Sequence, residues 1–365
     1  MTHSQSQKTK HILLMAAGTG GHVFPALAVA KLLQQQGHRV SWLATPNGME
    51  NRLLQNQNIP IYQIDIQGVR GNGVVRKLVA PFKILKATLS AIQYMKQQQV
   101  DVVAGFGGYV AGPGGLAARA LGIPILIHEQ NAVAGFTNLQ LARIAQKICQ
   151  AFPNTFPPSD KVVTTGNPVR REISEILSPA WRYQQRQQAN APLQVLIVGG
   201  SLGAKALNEH LPAALKALNT PLNIVHQCGQ QQLAETQARY ADAPETLQAQ
   251  VVPFIEDMAQ AYSNADLIIC RAGALTVTEV ATAGVAAVFI PLPSAVDDHQ
   301  TANARFLENV GAAKICQQST ITPESLHTLL TPLMNRQLLS EMAVKARQHA
   351  QTEATQHVVN LIQAL

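Results

Sequence analysis

Aromatic residues are scarce in this chain of 365 residues: phenylalanine, tyrosine and tryptophan together make up 5% of it, too few for a stacking surface that tracks single-stranded nucleic acid. No nucleic-acid partner is therefore expected. Cysteine is scarcer still. Cys149, Cys228, Cys270 and Cys316 stand far apart with no CxxC spacing, which excludes a disulfide framework or a cysteine zinc site and reads as core residues of a reducing compartment. Long apolar runs are also missing. The longest stretch, residues 267–293, is interrupted by Arg271 and Glu279, and residues 12–17 are too few for a secretory leader. The chain is accordingly placed in the cytoplasm. Charged residues amount to 13% against 47% hydrophobic ones, which excludes a disordered protein. The formal net charge of +7 suits anionic partners such as phosphates, nucleotides or an acidic membrane face. No Asp-x-Asp pattern occurs, so nothing obliges a metal, and neither metal nor cofactor is expected.

What is present is one grammatical unit used twice. "HILLMAAGTGGHVFPALAVAKLLQQQGH" reads as apolar strand, glycine loop and amphipathic helix, and "LQVLIVGGSLGAKALNEHLPAALKAL" repeats that order, with Thr19 and Ser201 in equivalent places. Unbroken apolar strands of this kind are buried on both faces, as in parallel sheets covered by helices. Further strand–helix pairs follow in each half: "HRVSWLAT", "IPIYQIDI", "VDVVAGF" and "IPILIHE", then "LNIVHQCG", "AQVVPFI", "ADLIICRAG" and "AAVFIPLP". The pattern predicts an α/β protein of two Rossmann-like, doubly wound domains. Their joint is expected between Pro168 and Pro192, where "YQQRQQANAP" has almost no core-forming residues.

Three glycine loops follow strands: residues 18–22, 105–115 and 199–203. Such a loop points backbone N–H groups at its ligand near the positive end of a helix dipole, and phosphate is the usual guest. A dinucleotide fingerprint would need glycine where Val23 stands, and "SWLATPNG" lacks the acid that holds a ribose; a Walker A lysine motif is also absent. Any single loop is equally well tight helix–sheet packing. Three at the carboxyl ends of strands point to phosphate-bearing ligands meeting in a cleft.

Other polar residues stand at strand ends. "HEQN" at residues 128–131 is either a hydrogen-bonded structural network or part of a site. His22, beside the first glycine loop, is either a structural histidine or a catalytic one. In "CRAGALTVTEVATAG" residues 272–274 open a helix towards a diphosphate, and the Glu279 carboxylate can accept from both hydroxyls of a ribose. Gln300 of "DDHQTANA" can reach sugar hydroxyls. The stretch around residues 68–87 alternates Arg70, Arg76, Lys77, Lys83 and Lys86 with apolar residues, and reads either as a surface helix or as a segment lying on an anionic membrane.

"GTGGHVFPALAVA", "GGYVAGPGGLAA", "HEQNAVAG", "TGNPVR", "GGSLGA" and "RAGALTVTE", in that order and spread over nearly the whole chain, resemble the MurG-type UDP-N-acetylglucosamine:undecaprenyl-pyrophosphoryl-N-acetylmuramoyl-pentapeptide N-acetylglucosaminyltransferase family. Ala17 stands where that family usually has the first of two paired glycines. The resemblance implies the GT-B architecture of two Rossmann-like domains facing across a cleft: an acceptor and membrane-facing domain over residues 1–168, with a helix of about residues 340–365 packing back on it, and a UDP-GlcNAc-binding domain over residues 169–339. It implies transfer of GlcNAc from UDP-GlcNAc to the C4 hydroxyl of MurNAc in lipid I. The transfer inverts the anomeric centre and gives lipid II for peptidoglycan synthesis, at the cytoplasmic face of the inner membrane. Carried over by motif, the donor contacts fall on Thr19, Gly20, Gly21, Asn131, Arg170, Ser201, Ile255, Ala274, Leu275, Thr276, Val277, Thr278, Glu279 and Gln300. The acceptor pyrophosphate falls on the first two glycine loops, including Gly107, Gly108 and Tyr109. His22 is the expected catalytic base, with Glu129 as its rival, and the stretch of about residues 68–87 becomes the membrane-docking face. The alternatives are a UDP-GlcNAc 2-epimerase of the same fold, with no lipid acceptor, and a two-domain protein that binds the nucleotide sugar without releasing UDP.

Overall fold

The computed structural model describes residues 9–66, 74–200 and 203–365, with the backbone alone for 74–78 and 296. Ser201 and residues 68–73 of the basic stretch, Arg70 among them, lie outside the described residues, as do the side chains of Arg76 and Lys77. The chain forms two compact units, Met1–Arg170 together with Thr352–Leu365, and Arg171–Gln351.

In the first unit β1 (His11–Ala16), β2 (Arg39–Ala44), β3 (Ile61–Gln63), β4 (Val102–Gly107), β5 (Ile125–Glu129), β6 (Lys147–Gln150) and β7 (Val162–Thr164) form one sheet in the order β3-β2-β1-β4-β5-β6-β7. In the second, β8 (Leu193–Val198), β9 (Leu222–Gln227), β10 (Leu247–Val252), β11 (Leu267–Cys270), β12 (Ala286–Phe289) and β13 (Ala313–Ile315) run β10-β9-β8-β11-β12-β13. Every pairing in both sheets is parallel. Helical crossovers make this possible, because parallel neighbours cannot be joined by a tight hairpin. The sequence pattern does not anticipate β6, β7 and β13. Each spans only three or four residues and carries lysine, glutamine or threonine, too short and too mixed for a period to emerge.

All six residues of β1 are buried, and alternate ones feed different cores. Ile12, Leu14 and Ala16 pack with Val23, Ala26, Val29, Ala30 and Leu33 of the helix Gly20–Gln35, and with Val358, Val359 and Ile362 of the last helix, Ala354–Gln363. Leu13 and Met15 meet Ala87, Ala91 and Met95 of the helix Val74–Gln98, and Ala117 and Ala118 of the helix Ala111–Leu121. The last helix is tied down by Lys10 Nζ, which donates to the Gln363 carbonyl at 2.7 Å. The return to the first unit thus involves Thr352–Leu365, not everything from about residue 340. The helix Arg336–Gln348 turns Leu339, Met342 and Ala343 into the core of the second unit, an i, i+3, i+4 stripe that has its own partners there.

The stretch 183–192 is poor in core residues, as expected, with one exception. Its Tyr183 is buried in the second core, and Arg182 is 3% exposed. The Arg182 guanidinium donates to the carbonyls of Leu177, Tyr262, Ser263, Ala283 and Gly284. Two helices end at those carbonyls, Met258–Asn264 and Ala274–Ala283, and a cation there satisfies orphan acceptors and complements both dipoles. Burial lowers the Arg182 pKa to about 10, so the charge persists at neutral pH. Replacing it by methionine strands several buried carbonyls, so Arg182→Met is expected to lower the unfolding free energy by about 3 kcal/mol, read from urea titration. A loss of under ~1 kcal/mol would contradict the clamp.

Candidate functional site

In each sheet the strand order reverses once, between β1 and β4 and between β8 and β11. Connections leave such a pair in opposite directions, so the loops beyond the carboxyl ends part and leave room for a ligand. All three glycine loops fall on these strands. After β1 the chain runs through Ala17 and Gly18 into the helix Gly20–Gln35, whose cap residue Thr19 is exposed and makes no side-chain cap. Gly20 and Gly21 therefore offer first-turn N–H groups that the Thr19 side chain does not cap. A shift in register between Met15 and Ala16 sets Gly107 opposite Ala16, and Gly108 follows with φ +81°. A Cβ at Gly108 would overlap the Ala17 carbonyl, so the two loops touch backbone to backbone. Tyr109 is 53% exposed beside them.

His22 lies on this contact. A Cβ on Gly107 would stand 2.8 Å from its Cδ2 and 2.9 Å from its Nε2, so only glycine lets the ring sit there. His22 Nδ1 lies 3.2 Å from the Ala17 carbonyl oxygen. A carbonyl can only accept, so Nδ1 carries the proton and Nε2 keeps its lone pair. Among the described residues nothing hydrogen-bonds Nε2. Burial lowers the pKa of His22, opposed by the Ala17 hydrogen bond and the negative charge of Glu129, so the ring is neutral at pH 7. These are the attributes of a general base.

The polar run that closes β5 is a hydrogen-bonded network. His128 is fully buried; its Nε2 donates to the Gly166 carbonyl at 2.9 Å, its Nδ1 accepts from Gln130 Nε2 at 3.1 Å, and burial pulls its pKa to about 4. Asn167 Nδ2 donates to the Gln130 carbonyl at 3.1 Å. Together these bonds fix the turn that presents Arg170, which is half-buried. Glu129 Oε1 accepts from the N–H and the amide of Asn131 at 3.0 and 3.3 Å, and Oε2 accepts from the Gly135 N–H and Asn138 Nδ2 at 3.0 and 2.9 Å. Four donors occupy the carboxylate, which holds the Asn131 loop in shape, while its negative charge works against burial at His22 and raises that ring's pKa.

In the second unit Gly199 and Gly200 follow β8, and Gly203 packs so closely on the Cys228 carbonyl after β9 that a Cβ would overlap it. After β11, Gly273 caps the helix Ala274–Ala283 without any side-chain bond, leaving the N–H groups of Ala274, Leu275 and Thr276 uncapped by it. Val277 is fully buried and Thr278 Oγ1 donates to the Ala274 carbonyl at 2.9 Å. Glu279 is 7% exposed and its Oε2 accepts from the Tyr262 hydroxyl at 3.1 Å. Gln300 Oε1 accepts from the N–H groups of Ala272 and Leu292 at 3.2 and 3.0 Å, which fixes the amide's orientation and leaves its NH2 to donate outward. Ile255 is half-buried on the loop after β10. Among the described residues no three His, Cys, Asp or Glu side chains gather as metal ligands.

Gln227, Tyr262 and Arg182 support this second site, and the motif reading does not single them out. The signal for Gln227 was present in "HQCG", a polar pair at a strand's carboxyl end like that of "HEQN". The other two act across long sequence separations. The tautomer of His22 is directly measurable: at pH 7 its 15N shifts are expected to report a neutral ring protonated at Nδ1, titrating with a midpoint below 6.5. A midpoint above 6.5 would contradict the burial argument.

Residues 12–150 match the model of the glycosyltransferase family 28 N-terminal domain, and residues 194–358 that of the family 28 C-terminal domain. The UDP-N-acetylglucosamine–N-acetylmuramyl-(pentapeptide) pyrophosphoryl-undecaprenol N-acetylglucosamine transferase of Acinetobacter baumannii (strain AYE) is 79% identical over 365 residues, all of both chains. That of Psychrobacter arcticus is 50% identical over 361 residues, 97% of this chain and 99% of the other. The crystal structure of Acinetobacter baumannii MurG superposes with a TM-score of 0.88 at 76% identity, over 98% of this chain and 100% of that one. A calicheamicin glycosyltransferase shares the fold at a TM-score of 0.68 and 14% identity, over 98% of each chain. Two parallel-sheet units with these relatives make the fold GT-B, and the chain belongs to the MurG family of glycosyltransferase family 28.

Proposed function

We propose that this protein transfers GlcNAc from UDP-GlcNAc to the C4 hydroxyl of MurNAc in undecaprenyl-pyrophosphoryl-MurNAc-pentapeptide, with inversion at the anomeric carbon. The observation that carries the reading is identity of 79% over the whole chain with a transferase of that printed activity. The loops at both strand-order reversals support it, since each offers backbone donors to a phosphate. The relationships give no support to a UDP-GlcNAc 2-epimerase.

In this reading the second unit takes the donor. Ile255 meets the uracil through its backbone, Glu279 accepts from the ribose hydroxyls, and the Gln300 amide donates to the sugar. Ser201 and the uncapped N–H groups at Ala274–Thr276 bind the diphosphate. Thr19, Gly20, Gly21, Asn131 and Arg170 of the first unit complete the donor contacts, and the first two glycine loops, with Gly107, Gly108 and Tyr109, hold the acceptor pyrophosphate. His22 Nε2 takes the proton of the C4 hydroxyl as its oxygen bonds to C1. The bond from C1 to the diphosphate oxygen breaks, and UDP leaves with the electron pair, its charge met by helix dipole and backbone donors.

The lipid-borne acceptor requires a membrane face. No described helix is long and apolar enough to cross a membrane. The helix Val74–Gln98, however, exposes Val79, Phe82, Leu85 and Leu89 at 43, 75, 58 and 57% along one stripe, opposite the buried Ala87, Ala91 and Met95, with Lys83 and Lys86 exposed among them. An apolar stripe flanked by cations is the composition of a segment that inserts shallowly into anionic lipid at the cytoplasmic face.

Incubation with UDP-GlcNAc is expected to release UDP only when a lipid I analogue is present, and His22→Ala to slow release at least about a hundredfold. The base must be neutral, so kcat/KM should fall as pH drops through the His22 pKa, with the acid limb below 6.5. UDP release without acceptor, or near-normal turnover by folded His22→Ala, would refute the assignment. Sedimentation with vesicles rich in phosphatidylglycerol should carry the wild type down, and carry much less of Phe82→Ser/Leu85→Ser; equal binding would remove the stripe from the account.

A further inference from the structure

Gln227 ends β9 and is 3% exposed, yet none of its side-chain bonds serves the sheet. Oε1 accepts from the Gly199 N–H at 3.1 Å, while Nε2 donates to the Gly200 carbonyl at 2.9 Å and to the Pro253 carbonyl at 3.0 Å. The three partners settle the amide's orientation, because one is a donor and two are acceptors. Gly199 and Gly200 begin the third glycine loop. Pro253 begins the loop that carries Phe254 and Ile255. One buried amide therefore fastens two loops that the chain itself separates by more than fifty residues.

Its neighbour on the strand behaves differently. His226 points to the other face of the sheet, as the period of two requires, where Nδ1 meets the Tyr240 hydroxyl and Nε2 the Asn208 amide oxygen, both at 3.0 Å. Those bonds close within the packed layer between helix and sheet. The bonds of Gln227 all end on loop backbone beyond the strands' carboxyl ends, where a ligand of an open α/β sheet lies.

We infer that Gln227 is a positioning residue for the nucleoside diphosphate, coupling the loop that meets the diphosphate to the loop that meets the uracil, so that neither subsite keeps its shape without the other. The inference rests on the donor-site assignment given above and deepens it. Gln227 touches no ligand itself; it sets the φ +88° turn at Gly200 from one side and the Pro253 carbonyl from the other.

Two near-isosteric variants test this. Gln227→Met removes the three bonds without adding charge. Gln227→Glu sets a carboxylate oxygen against the Gly200 and Pro253 carbonyls, three acceptors with no donor among them, which drives the loops apart. Affinities for UDP and for uridine are read by isothermal titration, alongside KM for both substrates and the melting temperature. UDP binding is expected to weaken about tenfold in Gln227→Met and about a hundredfold in Gln227→Glu, with uridine weakened in the same order, KM for UDP-GlcNAc raised and KM for the lipid I analogue unchanged. Both variants binding UDP within twofold of wild type would overturn the inference. So would a loss confined to UDP with uridine unaffected, which would leave the amide serving one loop alone, or an equal rise in acceptor KM, the mark of general loosening. A wild-type protein that binds no UDP would instead overturn the donor-site assignment beneath it.

Discussion

Backbone touching backbone at the ends of the central strands is the constraint on which the rest of this structure depends. The Ala17 carbonyl leaves no space for a side chain at Gly108, and the Cys228 carbonyl leaves none at Gly203. The first contact lies where the strand order reverses between β1 and β4, so peptide N–H groups can face an anion across a gap that side chains would otherwise fill. A diphosphate is larger and more charged than any one cationic side chain can match, and a shell of preorganised peptide dipoles suits it without reorganising on binding. The position of the His22 ring against Gly107 follows from that arrangement.

Around the loops, polar side chains are spent on holding backbone in place. His128 and Gln130 fix the turn at Gly166 and Asn167; Glu129 closes the Asn131 loop with both oxygens; Gln300 gathers the N–H groups of Ala272 and Leu292. Buried groups of this sort are costly unless satisfied, and a satisfied network is rigid. His22 stands apart from them. Its ring is anchored through one nitrogen and open at the other, the division of labour a general base requires.

Much of this was legible in the sequence, and the reason is periodicity. Unbroken apolar runs such as "HILLMA" and "LQVLIV" can only be doubly covered strands, and glycine directly after them marks the carboxyl ends where ligands collect. The polar clusters at strand ends were visible too, but their roles were not: whether Glu129 is a free base or a saturated strut depends on donors from Gly135 and Asn138, which no spacing rule brings to it. Arg182 shows the same limit. Nothing in its neighbours along the chain marks it, and only the chain ends of two helices far off in sequence make it a buried clamp. The short strands β6, β7 and β13 escaped because three or four residues of mixed polarity carry too few turns of the pattern. The helix Arg336–Gln348 was misassigned because an apolar stripe declares that it packs, not on what.

The most direct test of the account is a crystal of this protein soaked with UDP. The account predicts the uracil against the Ile255 backbone, the ribose hydroxyls on Glu279, and diphosphate oxygens within 3.2 Å or so of the first N–H groups of the helix that begins at Ala274. Well-ordered UDP bound elsewhere, with Glu279 away from the ribose and that helix start empty of phosphate, would contradict it.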